Sequence, residues 1–537
     1  MQFDIHAFEI VFLLLLFFIV AFGTLAKKLK IPYPIVLVIG GLLLSFVPGI
    51  PKISLNPDIV FLIILPPLLY SAAWFTSWRE FSYNLVSILF LAFGLVIFTV
   101  IGVSYACHWF LPGFDWRMGL VLGAVVAPTD AIAATSIATR IGLPKRIVDV
   151  LEGESLLNDA SALLALEFGI ALLVDGQRPT FALGFLRLAY LVIAGILAGL
   201  VIGEIVHQIE HRIDDAPLEI ALSILTPYVA YLGAEAIHAS GVLAVVVCGL
   251  YLSRKSSHFF SPAVRIQALA VWNSMTFILN GLVFVLIGLQ LPYVLQTIHD
   301  YSLHTLILYG AIFSAFLIVL RLIWVFPGAH FAYFIRRRLL GQAEAEPTTR
   351  QKFVVGWTGM RGVISLAAAI SVPQVLANGQ PFAQRNMIIF LTFSVILTTL
   401  VLQGLTLPPL IRALGLAGLP TSHKEERDAR TLILQAALTH LEQARGQVDA
   451  KSEDMYEDLA RHYHRRLAAL SQSEALEAEG AAPDSRKSFA DLSLELLQVE
   501  RQTAVRLRNQ SKISDELLRE LERELDLGEL KFQIKHI

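Results

Sequence analysis

Apolar residues dominate the first three quarters of the chain and fall into runs long enough to cross a lipid bilayer. A helix that spans the hydrocarbon core needs roughly 20 apolar residues, and polar or turn-forming residues separate thirteen such runs. The predicted spans are 7–26, 33–49, 57–75, 83–110, 117–139, 148–174, 183–207, 217–237, 240–253, 266–292, 303–328, 352–373 and 385–410. This pattern predicts an all-α, polytopic membrane protein with about 13 transmembrane helices.

The pattern changes after residue 417. Segments such as ARTLILQAALTHLEQARGQV (429–448) and ISDELLRELEREL (513–525) place apolar residues at helical spacing among many charged ones. Residues 421–537 hold 18 Lys and Arg and 23 Asp and Glu, against 24 and 21 in the first 420 residues. We therefore expect a transmembrane domain over 1–417 and a helical cytoplasmic tail domain over 418–537, the latter a solvated bundle or a dimer contact.

Composition supports the membrane assignment and argues against other classes. The chain is 55% hydrophobic and 16% charged, with a mean hydropathy of +0.64. A net charge of −2 gives no indication of nucleic-acid binding, and the 2 cysteines, both in apolar runs, suggest neither a disulfide framework nor a metal motif. Because no nucleophile–base pair is recognisable in either domain, we do not expect an enzyme.

Basic residues predict the orientation in the membrane. The first run has no basic residue before it and is followed by Lys27, Lys28 and Lys30, which is the wrong polarity for a cleaved signal peptide. With thirteen helices and the N-terminus outside, the cytoplasmic segments hold sixteen Lys and Arg and the opposite segments five. Since cytoplasmic loops carry the Lys and Arg excess, we expect a multi-pass protein of the inner (plasma) membrane with a cytoplasmic tail.

Four ionisable residues lie near the middle of predicted transmembrane helices. They are Asp130 in the fifth run, Glu154 and Asp159 in the sixth, and Arg361 in the twelfth. Each would cost about 2.5–3.5 kcal/mol if unpaired, so the four together would cost about 10–14 kcal/mol. That is comparable to the net stability of a whole protein, about 5–15 kcal/mol. These groups must therefore be paired, hydrated in a cavity, or protonated, as expected of a functional site.

Helix-breaking residues occur at the same depth in two of these helices. The fifth run contains VVAPTDAIA, in which Pro128 removes a backbone donor, and the twelfth contains VVGWTGMRGVIS, with Gly356, Gly359 and Gly362. Interruptions at corresponding positions in two halves of a chain indicate an inverted-repeat secondary transporter. The half-helix N-termini of such a site are positive, and Asp130 is suited to offset them.

Three segments that occur in order, APTDAIAATSIATRIGLPKR, LEGESLLNDASAL and GWTGMRGVISLA, resemble the monovalent cation/proton antiporters of the NHE and NhaP type. The resemblance covers the membrane domain and is strongest with bacterial members that have a long cytoplasmic tail. It implies a homodimer in membrane lipid, with two crossed broken helices in each protomer. It also implies a core of helices four to six and eleven to thirteen that moves like an elevator against a scaffold, without a cofactor.

The resemblance also assigns the residues of an exchange site. Asn158 and Asp159 match the family's Asn–Asp pair, with Asp159 as the carboxylate that takes either the cation or the proton. Thr129 and Asp130 match the broken-helix pair, and Ser155 matches a cation-coordinating hydroxyl. The ligands of Na+ would then be Asp159, Ser155 and Thr129.

Glu154 and Arg361 match the family's structural ion pair. The residues support this pairing, since a midplane arginine needs a carboxylate and Glu154 is not needed for the ion. Because Asn158 rather than a second aspartate stands beside Asp159, one carboxylate titrates, which predicts an electroneutral 1:1 exchange of Na+ (or Li+) for H+.

The sequence departs from the family at two positions and leaves two alternatives open. Ala131 stands where relatives have the proline of APTDP, and Ser71 stands where many carry an acidic residue after PPLLY. A K+/H+ antiporter remains an alternative, because oxygen ligands do not by themselves separate Na+, Li+ and K+. An alternative of another class is a membrane cation or pH sensor that signals through its tail.

Overall fold

The computed structural model describes residues 5–47, 57–111, 113–174, 181–213, 215–259, 262–296, 298, 301–342, 345–376, 379–417 and 421–445, together with isolated positions between 457 and 527. The chain divides into two compact units, Met1–Leu419 and Pro420–Ile537. The boundary predicted after residue 417 lies two residues before this division.

Every predicted apolar run overlaps a helix, or the two halves of a broken helix, in the described residues. The helices of the first unit are α1 (Ile5–Leu29), α2 (Tyr33–Leu44), α3 (Pro57–Phe75), α4 (Trp78–Phe110), α5a (Trp116–Val126), α5b (Ala131–Ile141), α6 (Lys145–Val174), α7 (Phe181–Glu210), α8 (Ala216–Ala236), α9 (Gly241–Phe259), α10 (Pro262–Leu289), α11 (Leu303–Leu339), α12a (Thr349–Trp357), α12b (Val363–Ser371) and α13 (Arg385–Ala413). A short helix, Leu291–Gln296, lies between α10 and α11.

Ten helices in the described part of the chain are long and apolar enough to cross a membrane. The three other predicted spans differ in character. α2 is a shorter apolar helix, α9 ends in the polar sequence SRKSSH, and α12 is interrupted midway. The all-α, multi-pass architecture predicted from the sequence is confirmed, and ten spans meet the criterion of length against the thirteen expected.

Both predicted helix breaks are present. α5a ends at Val126 and α5b begins at Ala131, and the residues between them include Pro128, which lacks the backbone N–H that a continuous helix requires. The second break lies between Trp357 and Val363, where two glycines weaken the helix.

The helices of the first unit pack in two groups around a cavity. In one group α5a packs on α4 and α6, and α11 packs on α12a and α13. In the other group α9 packs on α3, α7 and α8, while α10 packs closely on α2. The cavity lies between residues of α5, α6 and α12b on one side and residues of α3 and α10 on the other.

In the second unit, the helix α14 (Thr421–Arg445) includes most of the predicted segment 429–448. The predicted amphipathic segment 513–525 lies outside the described residues apart from Leu525.

Candidate cation and proton site

The two unwound segments cross in direct contact. The backbone N–H of Asp130 donates to the carbonyl of Met360 over 2.8 Å, which joins the break in α5 to the break in α12. A Cβ atom on Gly362 would lie 2.6 Å from Oδ2 of Asp130, and a Cβ atom on Gly359 would collide with the Arg321 side chain. Glycine at 362 therefore permits the close crossing, and glycine at 359 leaves room for the side chain of Arg321. Gly356 packs against the flexible side chain of Leu322.

Asp130 lies between the N-termini of two half-helices. Its Oδ1 accepts a hydrogen bond of 2.8 Å from the N–H of Ile132, in the first turn of α5b. Its Oδ2 is next to Gly362, the residue that precedes α12b. Helix N-termini carry partial positive charge, so the carboxylate lies where it offsets both ends, as the sequence indicates.

Thr129 and Asn158 belong to a buried hydrogen-bond network. The Nδ2 atom of Asn158 donates to the Thr129 hydroxyl over 2.6 Å, and that hydroxyl donates to Oε1 of Glu154 over 3.2 Å. Each of these three residues is at most 5% exposed. Since a hydroxyl has one proton and two lone pairs, Thr129 retains one lone pair beyond these two bonds.

Ser155 links α6 to the break in α5 by hydrogen bonds. Its hydroxyl donates to the carbonyl of Thr129 over 2.9 Å and accepts from the N–H of Ala131 over 3.3 Å. These bonds satisfy two backbone groups that the broken helix leaves without an internal partner. They also hold the Ser155 hydroxyl beside the cavity, which Ser155 lines.

The predicted ion pair between Glu154 and Arg361 is wrong, because the partner of Glu154 is Arg321 of α11. Nη1 of Arg321 lies 2.5 Å from Oε1 of Glu154, and Nη2 lies 2.9 Å from Oε2. Both side chains are 1% exposed. A planar guanidinium can donate two parallel hydrogen bonds to one carboxylate, and such a bidentate ion pair is stronger than a hydrogen bond between neutral groups.

Arg361 instead binds backbone carbonyls at the crossing. Its Nε donates to the carbonyl of Val126 over 2.9 Å, and its Nη1 donates to the carbonyl of Gly359. Val126 ends α5a, so its carbonyl lacks an intrahelical donor, and helix C-termini attract cations. Arg361 is therefore buried without a carboxylate because the end of α5a and the break in α12 supply acceptors for it.

Arg321 was not among the residues that sequence reasoning assigned to the site. The apolar run predicted for this helix ends at 328, which places Arg321 close to its end, whereas α11 extends from Leu303 to Leu339. Arg321 is residue 19 of those 37. The sequence could have indicated Arg321, because every charge near the middle of a membrane helix needs a partner. Arg321 lies near the middle once the helix has its full length.

Asp159 differs from Asp130 and Glu154, because it has no hydrogen bond or ion pair with any residue that the structure describes. It is residue 15 of the 30 in α6 and is 5% exposed. It lines the cavity, of about 200 Å³, together with Thr129, Asp130 and Ser155. One water molecule needs about 10–15 Å³ of cavity volume, so the cavity has room for a cation with several waters.

The structure thus gathers the five residues predicted for ion binding around one cavity. The residues that line it are Thr129, Asp130, Ser155 and Asp159. Asn158 does not line the cavity but donates a hydrogen bond to the hydroxyl of Thr129. Glu152 also lines it, half-buried, near the start of α6. Two crossed half-helix pairs with a midplane carboxylate define a secondary-transporter fold, in which ions bind at broken helices.

The comparisons with known proteins give the family. The sequence model of the family described as "Sodium/hydrogen exchanger, transmembrane" matches residues 13–413, and the chain belongs to this family. An uncharacterized Na+/H+ exchanger of Mycobacterium tuberculosis is 34% identical over 532 residues, which cover 98% of this chain and 96% of the relative.

Two further relatives extend the comparison. A sodium, potassium, lithium and rubidium/H+ antiporter of Bacillus pumilus is 36% identical over 387 residues, covering 70% of this chain and 57% of the relative. The solved structure of the sodium proton antiporter MjNhaP1 from Methanocaldococcus jannaschii at pH 8 superposes with a TM-score of 0.57 at 19% identity. It covers 76% of this chain and 99% of that chain, which confirms the fold.

Proposed function

We propose that this protein exchanges Na+ or Li+ for H+ across the plasma membrane, one for one, by competition at the carboxylate of Asp159. The observation that carries the proposal is the free carboxylate of Asp159 on the cavity, in a site where Glu154 is paired with Arg321 and Asp130 caps a helix. A proton and a hard monovalent cation are alternative occupants of such a carboxylate. Membership of the sodium/hydrogen exchanger family supports the same reaction.

The charges around Asp159 support an electroneutral cycle. Glu154 and Arg321 cancel each other as an ion pair, and the charges of Asp130 and Arg361 are also opposite. A proton on Asp159 or a bound Na+ then leaves the site with the same net charge. Each half of the cycle carries no net charge across the membrane, so the membrane potential neither drives nor opposes exchange.

Ser155 and Thr129 are proposed to complete the cation site with Asp159. Each hydroxyl keeps one lone pair after the hydrogen bonds described above. Oxygen ligands suit a hard cation. Asn158 positions the Thr129 hydroxyl by donating to it, and its own amide does not titrate, which leaves Asp159 as the exchanging group.

The position of the cavity supports alternating access of the elevator type. The cavity lies between two groups of helices, and its lining includes Thr76 after α3, Thr135 in α5b and Glu152 in α6. The proposed orientation, with the N-terminus outside, makes this end of the helices the cytoplasmic one, and the cavity then belongs to an inward-facing state. Movement of α5, α6 and α12 against α3 and α10 would carry Asp159 to the opposite side. Assembly as a homodimer with a cytoplasmic tail domain over 418–537 remains part of the proposal.

Exchange of K+ for H+ is a second candidate. The Bacillus pumilus relative carries potassium and rubidium in its name beside sodium and lithium. Because the cavity has room for a partly hydrated ion, its size does not exclude the larger cation.

The test is a dequenching assay of a pH gradient in proteoliposomes that contain the full chain. Addition of Na+ or Li+ should dissipate the gradient, and clamping the voltage with valinomycin and K+ should leave the rate unchanged. Asp159→Asn should abolish exchange while the protein still folds, whereas Glu152→Gln, two helical turns earlier, should retain it. Retained exchange in D159N, or a rate that depends on voltage, would refute the mechanism.

A further inference from the structure

One buried hydroxyl at the cavity has no role in the site described so far. Ser365 lies in the first turn of α12b, is 0% exposed, and lines the same cavity as Asp159. Its Oγ atom has no hydrogen-bond partner among the described residues. A buried polar group without a partner costs about 1–3 kcal/mol, so its retention requires an occupant of the cavity or a reason in the fold.

Other buried hydroxyls in these helices follow a different rule. Ser314 donates to the carbonyl of Gly310 over 2.7 Å, and Thr392 donates to that of Ile388 over 2.8 Å. Ser371, in the same helix as Ser365, donates to the carbonyl of Ala368 over 2.9 Å. A serine in a membrane helix normally satisfies its hydroxyl on the preceding turn. Ser365 is the third residue of α12b, so the helix offers it no preceding turn, and its hydroxyl has no partner among the described residues.

Ser365 lies beside the ion site. It lines the same cavity as Asp130, Ser155 and Asp159. Gly362, the residue that precedes α12b, also lines this cavity, and its Cβ position is 2.6 Å from Oδ2 of Asp130. The start of α12b therefore meets the break in α5, and α12b also packs against α6, which carries Asp159.

We propose that the hydroxyl of Ser365 is a further oxygen ligand of the transported cation, contributed by the second broken helix. This inference rests on the proposed function. The cation would then bridge three elements, with Asp159 and Ser155 from α6, Thr129 from the break in α5, and Ser365 from α12b. The proton-bound site lacks this contact between the Ser365 hydroxyl and a cation, so Ser365 favours the cation-bound over the proton-bound site.

The experiment measures cation binding and transport for Ser365→Ala in the full chain. Binding of Na+ or Li+ to the folded state raises the melting temperature in detergent, because a ligand stabilises the state to which it binds. Loss of one neutral ligand should raise the Na+ concentration for half-maximal stabilisation, and KM for Na+, about 3- to 10-fold. The maximal rate at saturating Na+ should stay within about 2-fold, since a ligand bond lost in binding need not slow the movement.

Two matched variants separate a ligand from a packing residue. Ser371→Ala removes a hydroxyl that is already bonded within the same helix and should leave KM unchanged. Ser365→Cys preserves the size of the side chain but offers a soft ligand, so it should weaken Na+ and Li+ binding as Ser365→Ala does and affect Tl+ less.

The outcomes distinguish this inference from the proposed function. If wild-type protein exchanges Na+ and D159N does not, but S365A keeps the wild-type KM and the wild-type thermal response to Na+, Ser365 is not a ligand. If S365A and S371A lower the melting temperature equally and neither changes KM, Ser365 serves packing alone. If wild-type protein itself neither exchanges Na+ nor is stabilised by it, the proposed function fails first.

Discussion

Removal of the Arg321 guanidinium should destabilise the protein more than any other change in the membrane domain discussed above. Arg321 and Glu154 are each 1% exposed and are joined by hydrogen bonds of 2.5 and 2.9 Å. Arg321→Met therefore leaves a carboxylate buried without its counter-charge, which costs about 3–5 kcal/mol. Since 1.36 kcal/mol is a factor of ten, the unfolded fraction should rise by about two to four powers of ten.

A double-mutant cycle isolates the pair from its surroundings. Glu154→Gln alone leaves Arg321 as the unpaired charge but preserves an acceptor for the Thr129 hydroxyl. The double variant E154Q/R321M removes both charges, and replacement of a buried pair by neutral groups is often tolerated or stabilising. We expect the double variant to melt above R321M, so that the two changes are far from additive.

The assay is thermal unfolding of the purified full chain in detergent, with the yield of monodisperse protein as a second readout. Arg361→Met is the matched control, because its partners are the carbonyls of Val126 and Gly359 rather than a carboxylate. The coupling energy between Glu154 and Arg361 should be smaller than that between Glu154 and Arg321. Additive effects of E154Q and R321M, or a larger coupling to Arg361, would refute the pairing.

Two further changes test the crossing and its hydrogen bonds. Gly362→Ala should lower the transport rate at least about tenfold, equivalent to 1.4 kcal/mol, because its Cβ would lie 2.6 Å from Oδ2 of Asp130. Gly356→Ala should lower the rate less, because its Cβ would meet the flexible end of the Leu322 side chain. Equal rates in the two variants would contradict a tight crossing. Asn158→Asp replaces the donor to the Thr129 hydroxyl with an acceptor and should lower stability by about 1–3 kcal/mol. A melting temperature equal to that of the wild-type protein would show that the donated hydrogen bond of 2.6 Å is unimportant.

The break in α5 is a feature that the local sequence determines by itself. Pro128 cannot donate a backbone hydrogen bond, so the interruption between Val126 and Ala131 follows from covalent chemistry alone. The helical character of the apolar runs follows in the same way, because a backbone in lipid must satisfy its hydrogen bonds internally. The positions of Asn158 one turn after Glu154, and of Asp159 one turn after Ser155, required only helical geometry.

The pairing of Arg321 with Glu154 is a feature that the local sequence does not determine. Which arginine reaches Glu154 depends on how α11 packs against α6 and α12a, over a separation of 167 residues. The sequence established that midplane charges must be compensated, since the cost of an unpaired charge in lipid is a property of each residue. Only the tertiary structure decided the partners, because side chains and exposed carbonyls from different helices compete for the same guanidinium. The choice among them depends on distances that packing sets.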